Sequence, residues 1–172
     1  MADPIVRPNG SSGILSVADR TFACAVGKGG IVSAGSKREG DGATPAGVWK
    51  LRDGFWRSDR LAKPPGPLAL TAIAPDMVWD DDPASPTYNT LQRRGLPDHP
   101  ERLMRADGVY DIVVPLGFND GPIVPGRGSA IFLHVARDGY TPTAGCVALA
   151  RDDLLAMLGL LDQHPAIEIR QD

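Results

Sequence analysis

The sequence predicts a mixed, mainly β domain with one main helix and long loops. Short apolar runs bounded by turn residues recur along the chain, which is the pattern of short strands. Only residues 151–163 repeat leucine with the period of a helix. The 20 glycines and 16 prolines favour turns and ordered loops over long helices.

The first part of the chain is expected to be a polar lead-in followed by strands. Residues 1–12 are predicted to be flexible. GILSVAD and TFACAVG are two apolar runs with a short polar break, and they are expected to pair as a hairpin. The polar, glycine-rich segment 35–45 is expected to be a loop, and AGVWKLR a further strand.

From residue 53 to residue 105 prolines interrupt every helical pattern, so we expect an ordered excursion. Its part 76–105 is expected to form a lid or a wall of a cleft, because long loops in compact domains are often functional. RDDLLAMLGLLDQ predicts the helix, with acids in its first turn. Further strands are expected in LALTAIA, YDIVVPLG, AIFLHVA and AIEIR.

Length and charge limit the classes of protein that fit. With 172 residues, the chain is expected to form a single domain over residues 13–172. A net charge of −3 and the lack of a basic stripe argue against a nucleic-acid partner. No apolar run approaches about 18 residues, so no integral membrane segment is expected. The start, MADPIVRPNGSSG, shows no secretory signal pattern.

The two cysteines, Cys24 and Cys146, are too few for a disulfide framework. Cys24 lies in the apolar run TFACAV and is expected to be a buried small hydrophobic residue. Its burial would keep it from pairing with Cys146, so both thiols are expected to be free.

Cys146 and His134 are the strongest candidates for chemistry. His134 ends an apolar run, and Cys146 follows twelve residues later, directly after Gly145. A cysteine nucleophile needs a base on a rigid strand, a thiol on a tight turn, and backbone N–H groups beside the thiol. The helical pattern downstream predicts that helix-end N–H groups, with an adjacent imidazolium, lower the pKa of the thiol. The alternatives are a structural histidine and a buried, inert cysteine.

A metal centre is not expected. The possible metal ligands are His99, His134, His164, Cys24 and Cys146. They do not fall at the close spacings of a zinc site. The acids at 80–82 lack the pattern of a calcium-binding loop and are expected to be solvated.

Two segments resemble one known family. HVARDGYTPTAGCVAL resembles the active-site signature of the YkuD-like L,D-transpeptidase catalytic domain, in which a His is followed by Ser/Thr-His-Gly-Cys-apolar-Arg/Asn. GSKREGDGATPAGVWKL resembles that family's earlier signature, a glycine-rich loop followed by Thr-Pro-x-Gly and a strand. The resemblance implies a β-sandwich-like catalytic fold with a helix after the cysteine.

The resemblance also implies an activity in bacterial cell-wall biogenesis, the crosslinking of peptidoglycan stem peptides through a thioester. Cys146 would be the nucleophile and His134 the base, oriented by the carbonyl of Val135. The N–H groups of Gly145 and Cys146 would stabilise the oxyanion. Reaction with carbapenems is implied as well, and no cofactor is needed.

The chain departs from the family's signature at two positions: Ala144 replaces the usual His, and Ala148 the usual Arg or Asn. Other side chains are therefore expected to hold substrate, and an arginine suits carboxylate-rich stem peptides because it binds carboxylate bidentately. The candidates are Thr143, Tyr140, Arg137, Asn119, Arg151 and Arg127.

Several alternatives stay open. The donor bond follows either the third stem residue, which yields 3–3 crosslinks, or the first, L-Ala, which yields 1–3 crosslinks. An L,D-carboxypeptidase or peptidoglycan peptidase would use the same two residues with water as acceptor. A cell-wall-binding module that has lost its activity is the alternative of another class. The implied substrate places the protein in the periplasm or cell envelope, and a cytoplasmic location is the other reading.

Overall fold

The computed structural model describes residues 3–94 and 101–172. In this part of the chain it has thirteen strands, one α-helix and one short 3-10 helix at Asp138–Tyr140. The strands are β1 (Ile5–Asn9), β2 (Ser12–Val17), β3 (Arg20–Ala25), β4 (Ile31–Ser33), β5 (Thr44–Lys50), β6 (Gly54–Trp56), β7 (Leu70–Ala72), β8 (Met77–Trp79), β9 (Leu91–Arg93), β10 (Ile112–Pro115), β11 (Phe132–Val135), β12 (Val147–Leu149) and β13 (Ala166–Ile169). The helix α1 spans Arg151–Leu158.

Eleven of these strands form one sheet, in the order β4-β5-β13-β1-β2-β3-β12-β11-β10-β6-β7, while β8 and β9 form a separate hairpin. The β2–β3 hairpin and the predicted strands around β10, β11 and β13 are confirmed. The main helix is also confirmed, although it ends at Leu158, where Gly159 follows as C-cap.

The predicted flexible lead-in is wrong for residues 5–9, which form β1. This strand is hydrogen-bonded on both sides, parallel to β13 and antiparallel to β2. Val6 is fully buried between the flanking strands, whereas the polar neighbours that suggested a loop face outward. The strand is short, and one of its two partners, β13, lies more than 150 residues away in the chain. The residues around β1 therefore show no clear strand pattern by themselves.

The sheet curls until its two halves face each other. The end of β5 meets the end of β10 through a bridge between Leu51 and Leu116, and the Gly117 N–H donates to the Lys50 carbonyl at 2.8 Å. The main core lies inside this fold, and α1 adds Leu154 and Met157 to it. The predicted mixed, mainly β, sandwich-like architecture is therefore confirmed.

The excursion after β6 covers the other face of β10 and β11. A second apolar cluster lies beneath it, including Phe55, Met77, Leu103 and Phe132. The expectation of a solvated acidic segment is wrong for Asp80, which is 1% exposed. Its carboxylate accepts hydrogen bonds from the hydroxyls of Ser85 and Thr87, which satisfy the buried charge and order the loop between β8 and β9.

None of the helices in the described ranges is long and apolar enough to cross a membrane.

The position of β1 leads to a test by matched substitutions. Val6→Asp should lower the free energy of unfolding by at least about 3 kcal/mol or abolish folding, because it buries an unpaired carboxylate. Arg7→Asp, on the half-buried neighbour, should change it by about 1 kcal/mol or less. Urea denaturation followed by fluorescence measures both. Equal midpoints for the two variants would contradict a central β1.

Candidate active site

His134 lies on β11, between the antiparallel β10 and the parallel β12. It is 6% exposed and points, like Phe132, to the face covered by the excursion. Its Nδ1 lies 2.9 Å from the carbonyl oxygen of Val135, the contact expected from the sequence. A carbonyl can only accept, so Nδ1 carries the proton and Nε2 is left as the basic nitrogen.

Cys146 ends a tight turn that Thr143 organises. The Thr143 hydroxyl donates to the Cys146 carbonyl at 2.7 Å and accepts the Gly145 N–H at 3.1 Å. Gly145 has a φ of +139°, and a Cβ there would lie 2.8 Å from the Ala43 carbonyl oxygen. Only glycine fits this turn without strain. The Gly145 N–H, expected to be an oxyanion donor, is thus already engaged by a side chain.

The turn is attached to the end of β3 and to the loop before β5. Thr143 exchanges backbone hydrogen bonds with this edge, accepting from the Lys28 N–H at 2.8 Å and donating to the Val26 carbonyl at 3.0 Å. The Gly27 N–H in turn donates to the buried Thr44 hydroxyl at 2.8 Å. The two distant sequence signatures therefore meet at the cysteine.

The Cys146 thiol is held by backbone groups of Ala130, just before β11, and of Phe132, the first residue of β11. Its Sγ donates to the Ala130 carbonyl at 3.2 Å and accepts the Phe132 N–H at 3.3 Å. Burial raises the pKa of the thiol to about 12, and the charge of Glu101 adds to this, whereas the Phe132 N–H and Lys37 act in the opposite direction.

The expectation of a lowered thiol pKa is therefore wrong. Strand β12 separates Cys146 from α1, so the thiol does not lie at the helix N-terminus. The imidazole beside it is not charged either, because burial lowers the pKa of His134 to about 4. The resting pair at neutral pH is a thiol and a neutral imidazole, so any nucleophilic attack must be coupled to proton transfer.

Cys146 and His134 line one cavity of about 510 Å³, called here the thiol cavity. Of the predicted substrate-binding residues, Arg137 and Thr143 line it too. Both altered signature positions face it, with Ala144 exposed and Ala148 buried. Polar lining residues that the sequence did not indicate are Lys28, Lys37, Glu39, Asp81, Glu101, Arg105, Tyr110 and Ser129.

Tyr110 packs against the candidate base. Its ring makes an edge contact with the His134 ring, with centroids 5.5 Å apart, and its hydroxyl donates to Glu101 at 2.8 Å. The Arg105 guanidinium lies over the Tyr110 ring at 5.2 Å. Asp81, Glu101 and Arg105 also line the thiol cavity, so the described part of residues 76–105 forms one wall of it.

Residues 37–42 of the glycine-rich loop form another wall, which is held by buried polar contacts. Glu39 accepts hydrogen bonds from the hydroxyls of Tyr88 and Ser129, the latter at 2.7 Å. Lys37, almost fully buried, pairs with Asp41 at 2.6 Å. A signal for these residues existed in the sequence, since Lys37 and Glu39 stand inside the first signature segment, but their contacts come from distant elements.

The remaining predicted residues lie elsewhere. Tyr140 and Arg151 line a flanking cavity of about 480 Å³, and Arg137 belongs to the linings of both this cavity and the thiol cavity. Arg127 lines a separate surface pocket and donates to the Ala34 carbonyl at 3.1 Å. The assignment of Asn119 to the cleft is wrong, because its side chain bonds the backbone of Val124 and Gly128 and so shapes its own loop.

Arg137 has a guanidinium available for a ligand. Asp107 is bound bidentately by Arg105 at 3.0 and 2.8 Å, and Arg137 reaches the same carboxylate by a single contact of 3.3 Å. The Arg137 side chain is 52% exposed and has only this one contact with Asp107, so its guanidinium can bind an anionic group of a ligand.

Cys24 is fully buried, as predicted, and both cysteines are free. Burial raises the pKa of the Cys24 thiol to about 12. Within residues 3–94 and 101–172, no cluster of three or more His, Cys, Asp or Glu side chains is placed to hold a metal ion. His99 lies outside the described residues.

The family model described as the L,D-transpeptidase catalytic domain, YkuD, matches residues 13–169 of this sequence. The match covers most of the chain, and this protein therefore belongs to the YkuD family. The crystal structure of Mycobacterium tuberculosis L,D-transpeptidase 1 is similar, with a TM-score of 0.44 and 13% identity. The alignment covers 97% of this chain and 60% of that one. No curated protein sequence matches the chain.

The buried, neutral His134 predicts a pH-dependent stability. Its pKa is about 4 when folded and about 6.5 when exposed, so unfolding takes up a proton between these values. The free energy of unfolding should fall as the pH falls from 6.5 to 4, with about 3 kcal/mol attributable to this residue.

Urea denaturation at several pH values, on the wild type and on His134→Asn, tests this. The variant should lose less stability over the same pH interval, because it lacks the imidazole that takes up the proton on unfolding. The other acidic groups titrate in both proteins, so their contribution cancels in the comparison. Parallel profiles would show that His134 is not buried in its neutral form.

Proposed function

We propose that this protein is a cysteine-dependent L,D-transpeptidase that crosslinks peptidoglycan stem peptides. The observation that carries the proposal is the joint placement of Cys146 and His134 in one cavity, with the Val135 carbonyl fixing Nε2 as the basic nitrogen. Membership of the family supports the substrate class.

The proposed reaction starts from the neutral pair. The Cys146 proton leaves the Ala130 carbonyl and passes to Nε2 of His134 as Sγ bonds to the carbonyl carbon of the donor amide. The tetrahedral intermediate collapses by cleavage of the C–N bond, and the departing amine takes the proton from Nε2. The product is a thioester on Cys146.

An amine of a second stem peptide then attacks the thioester. Nε2 takes a proton from this amine and returns it to Sγ as the C–S bond breaks, so the free thiol is restored. Because the Gly145 N–H donates to Thr143, the proposal assigns the Cys146 N–H to the oxyanion. Since the thiol is not ionised at rest, the base is needed in the first step.

The thiol cavity and the flanking cavity share Arg137 in their linings, which suits an extended substrate with acidic groups. The proposal places a stem-peptide carboxylate against Arg137, whose guanidinium is only singly engaged. It also includes acylation by carbapenems and a location in the cell envelope. Hydrolysis by water at the same residues, as in a peptidase, is the second candidate, because the thiol cavity is open to solvent.

Product analysis tests the activity. The wild type should convert tri-, tetra- or pentapeptide muropeptides into dimers, and Cys146→Ala should yield none, because it lacks the nucleophile. Mass spectrometry detects the dimers, and fragmentation locates the donor bond at residue one or residue three. Shortened monomers without dimers would make the protein a peptidase. No product, and no carbapenem adduct on the folded wild type, would contradict enzymatic activity.

The carboxylate site has its own test. Arg137→Ala should raise KM about tenfold with little change in kcat, since it removes a charge-assisted contact made equally in ground and transition states. Arg127→Ala is the matched control, because Arg127 lines a separate pocket, and its KM should stay unchanged. Arg151→Ala should raise KM if the substrate extends into the flanking cavity. Unchanged kinetics in both Arg137→Ala and Arg151→Ala would contradict the site.

A further inference from the structure

A second cavity, of about 660 Å³, lies beside the thiol cavity and plays no part in the reaction as proposed. Its size lies in the range of pockets that bind small ligands, about 300–1,000 Å³. Aromatic and aliphatic side chains form its floor, and charged side chains form its edge. The lining includes the apolar residues Phe55, Trp79, Phe132 and Ile123 and the charged residues Arg52 and Asp120.

A thin ridge separates the two cavities. It is built from two chain segments that each contribute to both sides: Asp81 and Ala130 line the thiol cavity, and Trp79 and Phe132 line the second cavity. The Phe132 N–H donates to Sγ of Cys146 at 3.3 Å, and Phe132 also belongs to the lining of the second cavity. A ligand in the second cavity is therefore separated from the thiol by little more than one backbone segment.

The aromatic lining is rigid. The Trp79 indole N–H donates to the Asn89 side chain at 3.0 Å, and its ring makes an edge contact with Phe132 at 5.1 Å. Asn89 is buried and also accepts the Ala130 N–H at 3.1 Å, which fixes the indole to the ridge. The half-buried Trp79 ring, packed against the fully buried Phe132, therefore offers a preformed apolar surface at no further entropic cost.

The edge of the cavity offers hydrogen-bonding groups beside this surface. Arg52 and Asp120 form a bidentate ion pair at 2.7 and 3.0 Å, and Lys50 and Asp53 also line the cavity. A pyranose ring needs this combination, because its C–H faces are apolar and its hydroxyl and acetamido groups are polar. A purely apolar ligand would leave the charged edge unused.

We propose that the second cavity binds an N-acetylated amino sugar of the glycan strand that carries the stem peptide. This inference rests on the proposed function and sharpens its substrate. The first stem residue is attached directly to such a sugar, whereas the third lies two residues, or about 7 Å, farther along an extended peptide. A sugar held across the ridge from Cys146 therefore places the bond after the first residue at the thiol, the register of 1–3 crosslinks.

A sugar without any peptide tests the site directly. Calorimetric titration with the β-1,4-linked trimer of N-acetylglucosamine should show binding to the wild type. Ile123→Arg should weaken it at least about tenfold by filling the cavity. Val124→Arg is the matched control, because Val124 is the adjacent residue, is similarly exposed (40% against 37%) and does not line the cavity. No binding to the wild type, or equal loss in both variants, would overturn the proposal.

Kinetics separate this inference from the activity itself. The wild type should use a disaccharide-linked tetrapeptide at least about tenfold more efficiently, by kcat/KM, than the free tetrapeptide. Ile123→Arg should lose this preference and keep the rate on the free peptide. Equal use of both substrates by the wild type would refute the sugar site while the transpeptidase proposal stands. Turnover of neither substrate, with the trimer still bound, would refute the activity and leave the sugar site in place.

Discussion

The contact between the Thr143–Cys146 turn and the chain before β5 is the constraint on which the site depends. Gly145 packs directly against the Ala43 carbonyl, and Thr143 is hydrogen-bonded to the end of β3. A side chain at position 145 would push the two segments apart. The same turn sets the direction of Cys146 toward β11, so the location of the nucleophilic sulfur follows from backbone packing between segments about 100 residues apart.

Burial then decides the protonation of the site. The Cys146 thiol and the His134 imidazole are both almost enclosed, and both are neutral at rest because the interior disfavours charge. The nearest charges act in opposite directions on the thiol: Glu101 opposes its ionisation, and Lys37 favours it.

Local sequence patterns were sufficient to predict the elements whose partners lie close to them in the chain or whose own residues show a clear period. The hairpin of β2 and β3 consists of two apolar runs with a short polar break, and α1 carries its leucines on one side, so both could be predicted. β1 could not, because its burial depends on β13 at the other end of the chain. β12 was missed because three apolar residues between a glycine turn and a helix are too few to show a period.

The sequence by itself determined the family, because two distant segments resemble its signatures, and it singled out Cys146 and His134 as the candidates for chemistry. It also determined that Arg137 and Thr143 lie near the cysteine. Only the tertiary structure decided that the thiol is buried rather than at a helix end, that Asn119 supports a loop, and that Tyr110, Glu101 and Lys37 complete the cavity. These features depend on the desolvation and distances that arise when separate segments pack together, and no local pattern encodes them.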